Sequence, residues 1–310
     1  MRVTWLPDVV SRPRHVAVGE FDGVHRGHRE VIRGADTVLT FEPHPRAVVG
    51  GAGAPPLLTP LEVKADRVAE LGVAELVVVP FDAAFARISA ADFVSEILVE
   101  RVGATRVSVG ENFRFGHRAS GDVALLRADR RFTTRVAGLV RDGNELISSS
   151  RIRARMANGE VERANQLLGA SFELRGTVVR GDQRGRTLGF PTANLMPSEK
   201  LALPGQGIYA CRAAVRRGES WEWHAAATSI GVRPTFDTVR DVLVEVHMLD
   251  FAGNLYGERL RVTFEGRLRG EQRFDSAEEL IEQMQRDVEH SRKILAESGA
   301  MPSSRVVVEM

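Results

Sequence analysis

Two histidines, His25 and His28, close the segment GEFDGVHRGH, which begins at Gly19. An apolar run precedes this segment and the residues REVI follow it, an order that predicts a strand, a turn and the start of a helix. The N–H groups of a helix N-terminus bind anions, and imidazoles can stabilise the charge that grows on a phosphate during its transfer. A helix cap with two surface histidines and a histidine metal pair are the alternatives, but the preceding strand, the Phe-Asp-Gly turn and Gly27 favour phosphate binding.

A second set of candidate residues lies in GTVVRGDQRGRTLGFPTANL, residues 176–195. Its glycines allow the backbone to approach phosphates closely, and its arginines supply positive charge. Thr192 and Asn194 offer neutral oxygens at alternate positions, which suits a hard cation such as Mg²⁺ beside phosphate. The glycines alone indicate a surface turn, and a site for phosphate and metal is the alternative, which the resemblance of GFPTAN described below favours.

Glu245 is a carboxylate within the predicted strand VLVEVHM. Strand alternation places Leu243, Glu245 and His247 on one face and the residues between them on the other. A carboxylate on a barrel strand is commonly a solvated residue. In this position it is also a candidate for a general base.

Strands alternate with helices up to about residue 170, which predicts a parallel sheet covered on both faces. Ligands bind beyond the carboxyl ends of the strands in such sheets, which is where the histidine segment lies. A helical stretch at about 150–168 is expected to close this half. The predicted strands cover residues 15–19, 37–41, 75–81 and 106–110, and the predicted helices cover residues 60–72 and 89–103.

From Phe172 onward short strands follow one another, a pattern that predicts a small closed or nearly closed barrel. Apolar residues recur at helical spacing over 276–298, so we expect a final helix that packs on the barrel.

The composition excludes several classes of protein. Lys and Arg total 42 against 41 Asp and Glu, so nucleic acid is not an expected partner. No lysine stands between Gly and Ser or Thr, which excludes a P-loop of the GxxxxGK[ST] type. The single Cys211 excludes an internal disulfide and a cysteine zinc site. No apolar run approaches the ~20 residues that span a bilayer and no signal peptide is recognisable, so we expect a cytoplasmic protein without a membrane partner.

Further segments occur in an order typical of a known family. TFEPHP, GENFRFGHRASGD and ISSSRIR follow the histidine segment as they do in bacterial FAD synthetases, which belong to the nucleotidyltransferases. GFPTAN, GIYA, SIGVRPTF, VEVHMLDF and NLYGERL resemble riboflavin kinase. Over about residues 14–296 the chain therefore resembles the bacterial bifunctional riboflavin kinase/FAD synthetases.

The resemblance implies a Rossmann-like α/β nucleotidyltransferase domain over residues 1–170. It implies a mainly antiparallel β-barrel riboflavin kinase domain with a terminal helix over 171–300, and residues 301–310 are left as a tail. The implied reactions are phosphorylation of riboflavin to FMN by ATP and adenylylation of FMN to FAD, with Mg²⁺ as the cofactor. Riboflavin, FMN and ATP are the expected partners, and the sequence leaves self-association open. The alternatives are a riboflavin kinase whose N-terminal domain is weak or inactive in adenylylation, and a non-catalytic flavin-binding regulator.

The family's functional residues are carried over one by one. Glu245 is implied as the base for the riboflavin 5′-hydroxyl, and His25 and His28 as catalytic in adenylyl transfer. The residues implied to bind nucleotide are Gly19, Phe21, Asp22, Gly23, Asn112, Ser149, Ser150, Arg153, Gly181, Arg186, Gly189, Phe190 and Pro191. Those implied to contact flavin are Phe113, Phe115 and Arg269, and those implied to bind Mg²⁺ are Thr192 and Asn194. Ser150 stands where the family has Thr, which keeps the hydroxyl.

The connection after His28 departs from the family pattern. Only the eight residues REVIRGAD separate His28 from the strand TVLTF, where the family has a long helix. A parallel crossover needs about a dozen or more residues, so this helix is expected to have one or two turns, with Val31 and Ile32 as its apolar anchors. We therefore predict that adenylylation is the weaker activity and that residues 22–36 are mobile without ATP.

Overall fold

A computed structural model of the chain describes residues 1–50, 53–181, 185, 188–197, 200–232 and 242–298. The described chain forms two compact units, one over Met1–Ser149 and one that begins at Ser150. The helical stretch after Ser149 therefore belongs to the second unit, whereas the sequence pattern placed it at the end of the first. The predicted Arg186 lies outside the described residues.

The first unit contains a six-stranded parallel sheet in the order β1-β4-β3-β2-β5-β6. Its strands are β1 (Arg2–Trp5), β2 (Arg14–Val18), β3 (Thr37–Glu42), β4 (Glu75–Pro80), β5 (Ala104–Gly110) and β6 (Thr133–Ala137). Its helices are α1 (Arg26–Ile32), α2 (Pro45–Val49), α3 (Leu61–Ala69), α4 (Ala90–Asp92, continued by a π-helical stretch Phe93–Arg101) and α5 (Val123–Ala128). A two-stranded hairpin, β7 (Arg141–Asp142) with β8 (Glu145–Leu146), precedes the second unit.

Apolar strands bury both faces of this sheet, as the sequence predicted. Leu76, Val77, Val78 and Val79 of β4 are fully buried and contribute alternately to two core clusters, one on each face. Such continuous apolar runs are typical of parallel strands covered by helices on both sides. The parallel α/β architecture of the N-terminal half is thus confirmed.

The second unit contains a closed antiparallel barrel in the order β10-β13-β12-β11-β14-β9. Its strands are β9 (Phe172–Val179), β10 (Ala193–Pro197), β11 (Gly207–Arg217), β12 (Ser220–Val232), β13 (Val242–Met248) and β14 (Arg259–Arg269). Helices α6 (Ser149–Ala157) and α7 (Val161–Leu168) precede it, and α8 (Ala277–Glu297) follows it.

The terminal helix α8 packs on β11, β12 and β14, and α7 packs on β9 and β14. The predicted barrel with a terminal helix is therefore confirmed. No helix in the described part of the chain is long and apolar enough to cross a membrane.

Candidate active sites

Hydrogen bonds to Asp22 fix the turn that follows β2. Asp22 Oδ1 accepts hydrogen bonds from the backbone N–H groups of Leu58 at 2.9 Å and Thr59 at 2.8 Å. The Gly23 N–H donates to Thr59 Oγ1 at 2.8 Å, and φ of Gly23 is 94°. Asp22 is buried, so the structure places this predicted nucleotide-binding carboxylate in an anchoring position within the turn.

His25 and His28 meet at the start of α1, as their spacing predicted. His25 is the N-cap of α1, and its Nδ1 accepts the His28 backbone N–H at 3.2 Å. The two imidazole rings stack with their centroids 3.5 Å apart. Because His25 Nδ1 is an acceptor, the proton of its neutral ring lies on Nε2. A pair of surface histidines is excluded, since His25 is buried.

Burial also sets the charge of these rings. Desolvation lowers the pKa of His25 to about 4. Desolvation, followed by the nearby His25 and Lys64, lowers the pKa of His28 well below its ordinary value. Both imidazoles are therefore neutral at pH 7. Within the described residues no group of three or more His, Cys, Asp or Glu side chains is arranged to hold a metal ion.

The ring of Phe21 packs against the ring of His28. Its ring meets the His28 ring edge-on, with centroids 5.4 Å apart and an interplanar angle of 88°. The ring also covers Gly19, where a Cβ atom would come within 3.0 Å of it. Phe21 is buried and has a φ of 53°, so the structure gives this predicted nucleotide-binding residue a packing position.

Arg135, a residue that the sequence did not indicate, stabilises the short crossover after His28. Helix α1 has seven residues, and its anchors Val31 and Ile32 are buried, as predicted. Arg135 of β6 donates from Nη1 to the Glu30 carbonyl at 3.0 Å and to the Val31 carbonyl at 3.3 Å. Its Nη2 donates to Glu30 Oε1 at 3.0 Å. Arg135 thus satisfies carbonyls at the end of α1 that have no partner within the helix.

An apolar cavity of about 600 Å³ opens near the carboxyl ends of β3, β4 and β5. The rings of Phe113 and Phe115, both predicted to contact flavin, line it and lie 5.5 Å apart at 19°. Arg87 and Arg118 add positive charge to its wall. Asn112 follows the end of β5 and is exposed. The other aromatic side chains that line the cavity are Phe41, Phe81, Phe85 and Phe93.

The segment SSSRIR begins helix α6. Ser149 Oγ donates to the Asp22 carbonyl at 2.8 Å, which brings this predicted residue to the turn after β2. Ser150 and Arg153 lie in the first turns of α6, within the second compact unit.

In the barrel, β13 separates two cavities. Leu243, Glu245 and His247 line one of about 330 Å³, together with residues of α8. Val246 and Met248 line the other, of about 790 Å³, on the opposite face. The predicted alternation along β13 is confirmed, and Glu245 faces the smaller cavity. Thr192 borders both cavities.

The segment GFPTAN lies directly beside Glu245. Asn194 of β10 is the register partner of Glu245, and its buried Oδ1 has no hydrogen-bond partner in the described part of the chain. A Cβ atom on Gly181 would overlap the Asn194 side chain, so this glycine is needed there. His247 Nδ1 hydrogen-bonds the Pro191 carbonyl at 2.8 Å. An amide oxygen without a partner among the described residues, two residues after the Thr192 hydroxyl along the chain, fits the neutral oxygen ligands that Mg²⁺ accepts.

The remaining predicted residues of this region border the smaller cavity or the turn before β10. Phe190 packs its ring edge-on against His247, with centroids 5.5 Å apart, and Gly189 has a φ of 84°. Arg269 lines the smaller cavity, where its guanidinium forms a two-point ion pair with Asp287 of α8 at 2.7 to 3.0 Å. Asp287 could not be recognised from the sequence, because acidic residues are frequent along α8.

Comparison with known proteins places both units in one family. The riboflavin kinase family model matches residues 168–295, and the FAD synthetase family model matches residues 9–151. The bifunctional riboflavin kinase/FMN adenylyltransferase of Listeria monocytogenes is 37% identical over 294 residues, which cover 91% of this chain and 92% of the relative. The enzymes of the same name from Escherichia coli K12 and Bacillus subtilis are 37% and 35% identical, and each alignment covers 88% of this chain and about nine-tenths of the relative.

A crystal structure described as a macrolide-efflux protein from Streptococcus pneumoniae is also similar. The two structures superpose with a TM-score of 0.83, and their sequences are 29% identical. The match covers 94% of this chain and 99% of the other chain. The match spans both the parallel-sheet unit and the barrel. Together with the matches to both family models and the extent of the curated similarities, the fold shows that this chain belongs to the bifunctional riboflavin kinase/FMN adenylyltransferase family.

Proposed function

We propose that the two activities of the family, riboflavin kinase and FMN adenylyltransferase, are carried by two separate sites on this chain. The barrel cavities around β13 form the kinase site. The turn after β2 and the phenylalanine-lined cavity form the adenylyl transfer site. The observation that supports this division is that each unit has its own cavities and its own cluster of predicted residues.

For the kinase reaction, riboflavin occupies the smaller barrel cavity and ATP the larger one. Glu245 takes the proton from the riboflavin 5′-hydroxyl, whose oxygen then bonds to the γ-phosphorus of ATP as the bond to ADP breaks. Thr192 borders both cavities, which supports placing the riboflavin hydroxyl and the γ-phosphate together beside this residue.

Thr192 and Asn194 are the residues that would hold Mg²⁺. The uncommitted Oδ1 of Asn194 supports this assignment. When bound, the cation would neutralise phosphate charge, and the carboxylate of Glu245 stays available for the hydroxyl proton.

For adenylyl transfer, the flavin ring of FMN occupies the phenylalanine-lined cavity, and Arg87 and Arg118 provide charge for its phosphate. His25 and His28, neutral at pH 7, donate hydrogen bonds to the phosphates of ATP. An FMN phosphate oxygen bonds to the α-phosphorus as the bond to pyrophosphate breaks. Donors held in place before the reaction stabilise the charge that develops there.

One assay separates this function from its alternatives. Purified protein is incubated with riboflavin and ATP, with and without Mg²⁺, and the flavins are separated by chromatography. FMN followed by FAD is expected, and both should disappear without the cation. FMN alone would indicate a kinase with an inactive first unit, and unchanged riboflavin would indicate a flavin-binding regulator. A cytoplasmic location and self-association stay predictions, to be checked by cell fractionation and analytical ultracentrifugation.

A further inference from the structure

Lys64 is a buried lysine beneath the adenylyl transfer site. It lies in the first turn of α3, and its side chain is 2% exposed. Its ammonium donates to the Glu20 carbonyl at 2.7 Å, to Glu20 Oε1 at 3.1 Å and to Thr40 Oγ1 at 3.1 Å. Replacing a buried ion pair by apolar residues of similar volume is often neutral or stabilising, so stability alone does not account for a charge here.

The Glu20 carbonyl is the backbone group on which these bonds converge. It accepts the hydroxyl of Thr40 at 2.9 Å in addition to the Lys64 ammonium, so β3 and α3 both hold it. The next residue, Phe21, has a φ of 53°, in the left-handed region that bulky residues rarely adopt. Such a conformation persists only where surrounding groups fix it. The bond from Lys64 is one of the contacts that do so.

Phe21 connects the fixed backbone at Glu20 to the two histidines. Its ring lies edge-on against His28, and His28 stacks on His25. A rotation of the backbone at Phe21 would therefore move the support of both imidazoles. Lys64 is joined to the two rings through one peptide group and one aromatic side chain.

Lys64 also balances the charges around the site. Burial raises the pKa of Glu20 to about 7 against the opposing effect of Lys64, and the carboxyl groups of Asp22 and Glu42 add smaller effects in the same direction as burial. Glu20 Oε2 is buried and has no hydrogen-bond partner among the described residues. Loss of the ammonium would leave these carboxyl groups next to the expected position of the triphosphate.

We propose that Lys64 is a positioning residue for adenylyl transfer, which holds the Glu20 carbonyl and, through Phe21, fixes His25 and His28 where they meet phosphate. The proposal rests on the assignment of the two histidines to this reaction. It differs from a role in simple charge compensation, in which Lys64 would only neutralise the Glu20 carboxylate. The two roles make different predictions when both side chains are replaced.

The test compares Lys64→Met with the double variant Lys64→Met/Glu20→Gln, and Lys293→Met serves as the matched control because Lys293 is exposed on α8. FAD formation from supplied FMN is measured at varied FMN and ATP, and FMN formation from riboflavin is measured on the same samples. In Lys64→Met we expect kcat for FAD formation to fall about 10- to 100-fold, as for other small displacements of catalytic groups. The KM for FMN and the kinase activity should stay at wild-type values.

The double variant decides between the two roles. Positioning predicts that the double variant stays as slow as Lys64→Met, because the Glu20 carbonyl still lacks the ammonium donor and keeps only the Thr40 hydroxyl. Recovery of wild-type kcat would overturn the proposal, as would a Lys64→Met enzyme as fast as Lys293→Met. If His28→Ala also left FAD formation unchanged, the assignment of the histidines would be wrong, which is a separate failure.

A measurement on the unsubstituted protein covers the case in which Lys64→Met does not fold. The chain has three lysines, Lys64, Lys200 and Lys293, so side-chain nitrogen labelling gives few NMR signals. Saturation with Mg²⁺ and pyrophosphate should shift the Lys64 ammonium signal and leave that of Lys293 in place. An unmoved Lys64 signal at saturation would contradict the proposal.

Discussion

The two sites of this chain surround their reactive groups differently. In the parallel-sheet unit, His25 and His28 are neutral imidazoles whose pKa values are lowered by burial, and they rest on a turn that Asp22 fixes. In the barrel, Glu245 lies on a strand with a cavity on each side. A site built from buried donors depends on the rigidity of its support, since the donors must be in place before charge develops. The proposed kinase site, built on one strand, would depend on cavities for its two substrates on opposite faces of that strand.

The largest expected effect is on the kinase reaction alone. Glu245→Gln keeps the size of the side chain but removes the base, so FMN formation should fall by ~10²–10⁴. FAD formation from supplied FMN should stay near wild type, because that reaction uses the other unit. Both rates are measured by flavin chromatography. Near-normal kinase activity would remove Glu245 from the mechanism.

The reciprocal substitution is His28→Ala. It removes a donor directed at phosphate, and loss of one such donor costs roughly 2.7–4 kcal/mol of transition-state stabilisation. FAD formation should fall accordingly while FMN accumulates from riboflavin. A parallel fall in FMN formation would mean that the two sites are not separate.

A smaller effect is expected in the aromatic cavity. Phe113→Ala removes part of the surface against which the flavin ring is proposed to stack. Burial of a large apolar side chain contributes about 1.5–3 kcal/mol, so the KM for FMN in adenylylation should rise about 10-fold or more. The KM for riboflavin in the kinase reaction is the control. If only the riboflavin KM changed, the cavity would not be the FMN site.

A substitution that weakens the crossover after His28 tests how much the proposed adenylyl transfer site depends on the residues that support it. Arg135→Leu leaves the Glu30 and Val31 carbonyls without their donor, which should lower the free energy of unfolding by about 1–3 kcal/mol. Hydrogen exchange over residues 22–36 should become faster, and added Mg-ATP should slow it. In the wild type, the predicted mobility of this segment and the weaker adenylylation are checked by the same exchange experiment beside the FAD assay. Rapid FAD synthesis with this segment already protected would contradict both.

The smallest effect is a change in pH dependence. The pKa of His25 is about 4 in the folded chain against an ordinary 6.5, so between these values the unfolded chain binds a proton that the folded chain excludes. The stability that His25 contributes is therefore lost as pH falls from 6.5 towards 4. Glu20 has the opposite sign, because its raised pKa of about 7 gives stability that is lost as pH rises from 4.5 through 7.

Two variants separate these contributions. His25→Gln should flatten the rise of unfolding free energy with pH in the first unit, and Glu20→Gln should steepen it. Denaturant unfolding at pH 5, 6 and 7 measures both slopes. Equal slopes in the two variants would show that these groups do not control the titration.

The sequence predicted those features that depend on local pattern. The predicted helix over 89–103 is present as α4 and its continuation: it begins where Ser89 accepts the Asp92 N–H at 3.0 Å and ends before Gly103, whose φ is 74°. The alternation along β13 correctly placed Glu245 and His247 on one face. In each case the prediction requires only a few neighbouring residues.

Features that depend on distant partners were not predictable in this way. Lys64 occupies a place in the helical pattern where a solvated side chain is the ordinary expectation. Its acceptors Glu20 and Thr40 come from the turn after β2 and from β3. Arg135 reaches the end of α1 only because β6 lies beside β5 in the sheet. Charged residues of this kind have the same local pattern whether they are buried or exposed.

Because β13 separates the two barrel cavities, the cavity that Glu245 faces depends on a single backbone register. Side chains on a strand alternate with a period of two, so a shift of one residue exchanges the two faces completely. Such a shift would turn Val246 towards the smaller cavity and Glu245 towards the larger one, although every residue of the strand would still be present. An insertion or deletion within β13 is therefore more damaging than its length suggests. The order of residues along these seven positions, as much as their identity, determines which cavity each side chain faces.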